Sequence, residues 1–378
     1  MIIIDAHEDL AYNMLTYARD YSLSALVTRQ IEAGSETPQR NGDSLLGWPE
    51  YQEGQVAVVF GTLFVSPGHR QSEPWETQVY RDTAEANRLY RGQVDAYHRL
   101  AGENPDKFRL VLRRSDLQDI LKTWESAEDS RTQEAPASEA EAEGETVPKT
   151  GKPVGVVILM EGAEGVRHPG ELEEWWEMGV RMIGPAWAGT RFCGGTRQPG
   201  PLTQEGFALL EGMASLGFGL DLSHMDEAAV MQALDIYPGT ILASHANAWA
   251  LLRNDSNRHL SDQVIRGLVE REGVVGIVPF NVFLKNGWRS GDARSEVSLG
   301  HVVAQIDHVC QIAGSARHTA LGTDFEGGFG LQSVPSEIDT IADLRKLIPL
   351  LAEKGYSDDD IRGILSGNWL RMLQRILP

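Results

Sequence analysis

Asp5, His7 and Asp9 stand two residues apart in "IIIDAHEDL", directly after Ile2, Ile3 and Ile4. Alternate residues of a strand point the same way, so an acid, an imidazole and a second acid would share one face. The isoleucines ahead of them read as a strand buried on both sides. In an α/β fold the carboxyl end of such a strand is where sites are placed. Other apolar runs end in the same kind of residue: Glu161 closes "VGVVILME", His224 closes "FGLDLSH", His245 falls in "TILASHA" and Asp324 in "HTALGTDF". His7, Asp9, Glu161, His224 and His245 form a mixed nitrogen and oxygen ligand set that suits Zn²⁺, with Mn²⁺, Co²⁺ or Fe²⁺ as substitutes. One catalytic zinc keeps an open position and takes fewer protein ligands than this. The surplus points to two ions, with Glu161 as the carboxylate between them, an arrangement that activates water for hydrolysis. Asp5 lies earlier on its strand and is expected to orient a ligand from behind. His69, His98, His168, His301, His308 and His318 read as ordinary polar residues, and Trp175 and Trp176 as packing.

These side chains must be positioned by strands, and the chain supplies eight candidates: residues 1–7, 55–65, 153–161, 180–187, 218–224, 240–246, 274–281 and 318–325. Amphipathic stretches such as "SDQVIRGLVEREG" lie between them. Eight βα units predict a (β/α)₈ TIM-like barrel with a few added elements. No GxGxxG follows the first strand, which argues against a dinucleotide-binding sheet. The run "FRLVLRR" at 108–114 exceeds the count of eight and is expected as an added strand in the second βα connection. Residues 126–150 hold seven acidic and two basic residues and no large apolar residue except one Val. Such a segment cannot bury enough surface to offset ordering, and it is expected as a flexible surface insertion within one domain spanning 1–378. The stretch from Ser357 opens with a Ser-Asp cap and predicts a closing helical segment.

The bulk composition bounds the partners. The 378 residues include 34 Lys plus Arg against 54 Asp plus Glu, a formal charge of −20. That balance disfavours nucleic acid and anionic membranes and favours a cationic ligand. Two cysteines, Cys193 and Cys310, do not make a disulfide framework and fit a reducing compartment. No basic and apolar leader and no run of membrane-spanning length is visible. The expectation is a soluble cytoplasmic enzyme, with a homodimer as the default oligomer.

At these residues the chain resembles the membrane dipeptidase (renal dipeptidase-like) family of zinc peptidases, family M19, in the amidohydrolase-type barrel superfamily. "DAHEDL", "EGQVAVVFGTLFV", "MEG", "GPLTQEGFALLEGMASLGFGLDLSH", "ASHANAWAL", "NRHLSD", "LGTDFEG" and "GNWLRML" follow the family's motifs in order along nearly the whole chain. The resemblance implies that His7 and Asp9 hold one zinc, that Glu161 bridges, and that His224 and His245 hold the second. It implies a proton-shuttling or amine-binding role for Asp324 and a carboxylate-binding role for Arg258. The implied reaction is hydrolysis of small dipeptides, in a family that often accepts a D-residue on the carboxyl side. Hydrolysis of N-acyl amino acids or another small amide or ester is an alternative, and a barrel that keeps its metals without catalysis is another. The pocket wall departs from the family: Trp187 stands where mammalian members have His, Asn281 where Tyr is common, Pro279 where Asn is common, His259 after Arg258 where Asn is usual, and Glu326 in place of the second Asp of the "DFDG" motif. Trp187 and Asn281 are thereby expected to touch substrate.

Overall fold

A computed structural model describes residues 1–70, 75–125 and 151–378; the acidic stretch 126–150 lies outside the described residues. Eight parallel strands form the barrel: β1 (Ile3–Glu8), β2 (Val56–Phe64), β3 (Val154–Glu161), β4 (Val180–Gly184), β5 (Gly219–Asp221), β6 (Ile241–Leu242), β7 (Val275–Ile277) and β8 (Thr319–Leu321). Each pairs with the next in chain order from β1 to β6, β8 pairs with β1, and β7 pairs with β8. The remaining seam between β6 and β7 is closed just beyond β6 by a parallel bridge from Ala243 to Val275. There the Ala243 N–H donates to Val274 O at 2.9 Å and the Gly276 N–H to Ala243 O at 2.8 Å. This is the (β/α)₈ barrel that the eight apolar runs predict.

The strands form because their residues are branched and apolar with both faces covered. Every residue of β1 and β3 is buried, the acids and imidazole of β1 included. The helices between them begin at side-chain caps: Asp82 accepts from the Glu85 N–H at 2.8 Å, Thr203 from Gly206 and Ser261 from Val264. Each cap satisfies an amide that the first helical turn leaves free. The run at 108–114 contributes a short strand, Phe108–Leu110, paired in parallel with the first three residues of β3. β4 takes over that edge from Ile158 onward. At the C-terminus Ser357 caps Asp358–Arg362, and the helix Asn368–Ile376 packs back on the barrel, with Trp369 Nε1 donating to Leu321 O of β8 at 2.8 Å. Among the described residues no helix is long and apolar enough to cross a membrane.

Strands β5, β6 and β8 stop three residues short of His224, His245 and Asp324, earlier than the apolar runs suggest. At two of these ends the backbone turns left-handed, with φ of 66° at His224 and 57° at Asp324. A non-glycine residue rarely holds that conformation. The side chains aimed at the barrel axis are thus presented by tight turns rather than by strand pleats.

Candidate metal centre

The carboxyl ends of the strands bring His7, Asp9, Glu161, His224, His245 and Asp324 into one cluster. Glu161, the last residue of β3, places Oε1 3.1 Å from His224 Nε2 and 3.3 Å from His245 Nε2. Those two nitrogens are 3.0 Å apart. Glu161 Oε2 faces the other side, 3.9 Å from His7 Nε2, which lies 3.8 Å from both Asp9 Oδ2 and Asp324 Oδ1. Three overlapping sets of donor atoms result: His7 with Asp9 and Glu161, Glu161 with His224 and His245, and His7 with His245 and Asp324. None of the six histidines read as ordinary polar residues takes part. A cavity of about 460 Å³ opens above the cluster, and Trp187 and Arg258 line it.

The electrostatics explain why the cluster stands open. Burial pushes Asp9 up to about 7, with Glu326 adding to it. Burial also carries Glu161 well above the usual range, with Asp9 and Asp324 repelling it further, and Asp324 follows for the same first reason, with Asp9 next. The imidazoles move the opposite way. Burial drives His7 down to about 3, with Arg258 adding to it, and drives His224 and His245 well below their ordinary value. All three rings are therefore neutral near pH 7, so their lone pairs are available. His7 Nε2, Asp9 Oδ1 and Glu161 Oε1 are buried without a hydrogen-bond partner. Buried polar atoms are rarely left so. Oxygen and nitrogen atoms 3.0–3.3 Å apart match the edge of a tetrahedron with bonds of about 2.0–2.1 Å, which is about 3.3 Å. The donor set and its spacing fit a divalent cation.

Residues behind the cluster, most of them not singled out by sequence pattern, fix it. Thr196 Oγ1 lies 2.9 Å from His224 Nδ1. Ser244 Oγ lies 2.8 Å from His245 Nδ1 and donates to Asp221 Oδ2 at 2.5 Å. Asp221 also accepts from the Ser223 and Ser244 amides, so a buried acid holds the loop that carries His245. Asp5, expected to orient a ligand from behind, accepts from the backbone and hydroxyl of Thr323 and so fixes the residue before Asp324. Past Glu326 the chain runs so close to the site that a Cβ on Gly327 would lie 2.2 Å from Asp324 Oδ1 and 2.8 Å from Asp9 Oδ2. The Gly pair in "DFEGG" carries no signal of that approach.

The expected substrate contacts divide. Arg258 is buried; its Nη2 donates to His245 O at 2.8 Å, while Nε and Nη1 have no partner. Trp187 is half-buried, with its ring centroid 6.2 Å from that of His224. Asn281 does not line the cavity. It is wholly buried at the start of the short helix Asn281–Leu284, and its amide donates to Val334 O at 3.1 Å. Its neighbours Phe280 and Phe283 face the cavity in its place. Trp175 is fully buried, as a packing residue should be.

The sequence profile of the membrane dipeptidase family, peptidase family M19, matches residues 132–377. The chain belongs to this family. A relative named dipeptidase aclJ, from Aspergillus oryzae, is 24% identical over 381 residues, covering 98% of this chain and 77% of that protein. A Klebsiella pneumoniae protein named for the region 5′ of pqqA is 34% identical over 235 residues, 60% of this chain and 83% of its own. Among solved structures, the M19 dipeptidase AC superposes with a TM-score of 0.74 at 22% identity, covering 100% of this chain and 99% of that one. A Rhodobacter sphaeroides metallopeptidase liganded with a phosphinate mimic of the dipeptide L-Ala-D-Ala gives 0.73, also at 22% identity and with the same coverage. These likenesses establish the barrel, and family membership makes the chain a dipeptidase-type metallopeptidase.

Proposed function

We propose that the chain is a binuclear metal-dependent dipeptidase, acting as one domain, that hydrolyses the amide bond of small dipeptides, including those with a D-residue on the carboxyl side. The observation that carries this reading is the unpartnered Glu161 Oε1 within 3.3 Å of two neutral imidazole nitrogens, beside a cavity with an unpaired buried guanidinium. His7 and Asp9 would hold one ion and His224 and His245 the other, with Glu161 shared, and zinc is the ion this donor set suits first. Bound metal would polarise the scissile carbonyl and lower the pKa of water. Arg258 would receive the terminal carboxylate of the substrate through a guanidinium donor that the chain leaves unused, Nε or Nη1. A longer peptide would set a neutral amide there and leave the cation unpaired, which is costly. Asp324, held beside Asp9 with its carboxyl pushed upward, takes a proton and passes it to the leaving amine. Trp187 supplies one wall of the cavity. The D-residue preference draws support from the L-Ala-D-Ala mimic held by the Rhodobacter sphaeroides relative.

A hydrolase of N-acyl amino acids is the second reading, since Arg258 needs only one terminal carboxylate. The test is a panel of L,L- and L,D-dipeptides and N-acyl amino acids assayed with Zn²⁺, Mn²⁺ or Co²⁺, together with elemental analysis. Dipeptide turnover with close to two metals per chain is the expected result. Turnover confined to N-acyl amino acids would select the second reading. Full activity with at most one metal would remove the bridged pair.

A further inference from the structure

Phe, Trp and Tyr make up 7% of the sequence, yet among the described residues eight of the 24 that line the cavity are aromatic. They form two walls. The first runs outward from His224: the Trp187 centroid is 6.2 Å from the imidazole, Phe64 is 5.0 Å from Trp187, and Tyr12 is 5.8 Å from Phe64. Tyr17 follows 6.5 Å from Tyr12, and Trp75 is 5.7 Å from Tyr17. An arginine lies over each of the two indoles, with the Arg70 guanidinium 5.9 Å from the Trp187 centroid and that of Arg40 4.8 Å from Trp75. The second wall is smaller. Phe280 stacks on Phe329 at 4.1 Å and 13°, and Phe283 lies 4.9 Å from Phe280. The Arg258 guanidinium is 5.3 Å from the Phe283 ring.

Of these eight rings all but Phe329 remain partly exposed, and the space they face is the cavity. Apolar surface kept open to water in a concave site marks a ligand that will cover it. Among the described residues the wall side chains make no hydrogen bond to the donor cluster, whose side-chain supports are the hydroxyls and carboxylates behind it.

We propose that this site selects dipeptides with large apolar, above all aromatic, side chains. The inference rests on the dipeptidase reading. The position of each wall assigns the two substrate residues. A carboxylate received by Arg258 sets the C-terminal residue beside Phe283, along the Phe280 and Phe329 rings. The N-terminal residue then lies along the longer wall that starts at Trp187. Alanine on both positions would leave both walls wet, whereas a phenyl or indole group covers rings and releases their water.

The test uses the full chain supplemented with Zn²⁺, Mn²⁺ or Co²⁺ and two substrate series. One varies the N-terminal residue through Ala-Ala, Leu-Ala, Phe-Ala and Trp-Ala. The other varies the C-terminal residue through Ala-Leu and Ala-Phe, each in L and D form. We expect kcat/KM to rise along both series, by at least about ten-fold from Ala-Ala to Phe-Ala, the order of discrimination an apolar pocket gives to a large side chain. Trp187→Ala and Phe64→Leu should flatten the first series more than the second, and Phe329→Leu the second more than the first. Should a variant fail to fold, the wild-type series still decides. Ala-Ala cleaved within three-fold of Phe-Ala would overturn the selectivity and leave the dipeptidase reading standing, as would a preference for Lys or Glu side chains. No turnover of any dipeptide would overturn both.

Discussion

Asp324 and Glu326 sit two residues apart on the turn after β8, both with left-handed backbone, and the protein treats them in opposite ways. Glu326 is wholly buried and accepts from Arg19 Nη1 at 2.6 Å, Tyr21 OH at 2.6 Å, Ser44 Oγ at 2.7 Å, and the amides of Leu45 and Leu46 at 2.8 and 3.1 Å. Burial pushes its carboxyl up, but Arg19 and the other donors outweigh burial and hold it below the usual range. The carboxyl group of Asp324, like that of Glu161, accepts no hydrogen bond from the described residues, and burial followed by acidic neighbours pushes both upward. The lesson is one of completion. A buried carboxylate with all its acceptor capacity filled by the protein is scaffold. One left open among neutral imidazoles marks a candidate ligand site.

The sharpest break between the two kinds of acid should come from Glu161→Gln. The substitution removes the charge of the carboxylate that faces both halves of the cluster and turns one of its two oxygens into a donor amide. We expect kcat to fall by on the order of 10³-fold or more, beyond the roughly 10–100-fold typical of losing a group that only supports a ligand. The Tm of the metal-free protein should stay level or rise, because repulsion among Glu161, Asp9 and Asp324 is relieved. Activity within ten-fold of wild type, with metal content unchanged, would show that Glu161 is no ligand.

Glu326→Gln should show the inverse profile. The substitution keeps the shape but leaves Arg19 short of a charge partner and turns a donor toward donors. Breaking a buried pair in this way costs about 3–5 kcal/mol. Urea denaturation should read that loss, while kcat of the folded fraction falls far less than in Glu161→Gln. An unchanged urea midpoint would mean that the cage around Glu326 is not holding the fold.

Arg258→Met tests the third case, a buried cation that is half satisfied. KM for free dipeptides should rise by on the order of 10²-fold, with a smaller change in kcat, since a remote binding contact is lost. A dipeptide amide, which lacks the carboxylate, should lose little. Equal losses on both substrates would assign Arg258 to structure, through its bond to His245 O.

The same contrast explains what the sequence made legible. Strand identity and order could be read because each barrel strand is a run of branched apolar residues buried on both faces, and its polar ending stands out against that run. His7, Asp9, Glu161, His224, His245 and Asp324 are all such endings, and the structure gathers all six. The cage around Glu326 could not be read, because Arg19, Tyr21 and Ser44 lie some 280–310 residues away in sequence and none sits at a strand end. Position in a motif misplaced Asn281: a residue aligned with a substrate-facing position turns inward here, where Val334 O offers its amide a partner. The aromatic walls were hidden for a related reason. Tyr12, Phe64 and Phe280 sit at or beyond the ends of three different strands, and each alone reads as packing.

The smallest effect should come from Thr196→Val, which tests whether the residues behind the cluster matter to its chemistry. A cation on Nε2 of His224, which faces Glu161 Oε1 at 3.1 Å, requires the ring proton on Nδ1. Thr196 Oγ1, 2.9 Å away, then accepts that proton's hydrogen bond and fixes both tautomer and ring plane. Valine keeps the branched shape and removes the acceptor. Metal affinity should fall by about ten-fold, at the low end of what such partners contribute, because Thr196 lies on the cavity wall and water can replace part of the bond. Ser244→Ala should cost more, since the same hydroxyl serves His245 and satisfies buried Asp221. The decisive measurement is competition of each variant against a chelator of known affinity. If Thr196→Val and Ser244→Ala both retain wild-type metal affinity, the hydroxyls do not set the imidazole tautomers, and the geometry of the cluster rests on the strand-end turns alone.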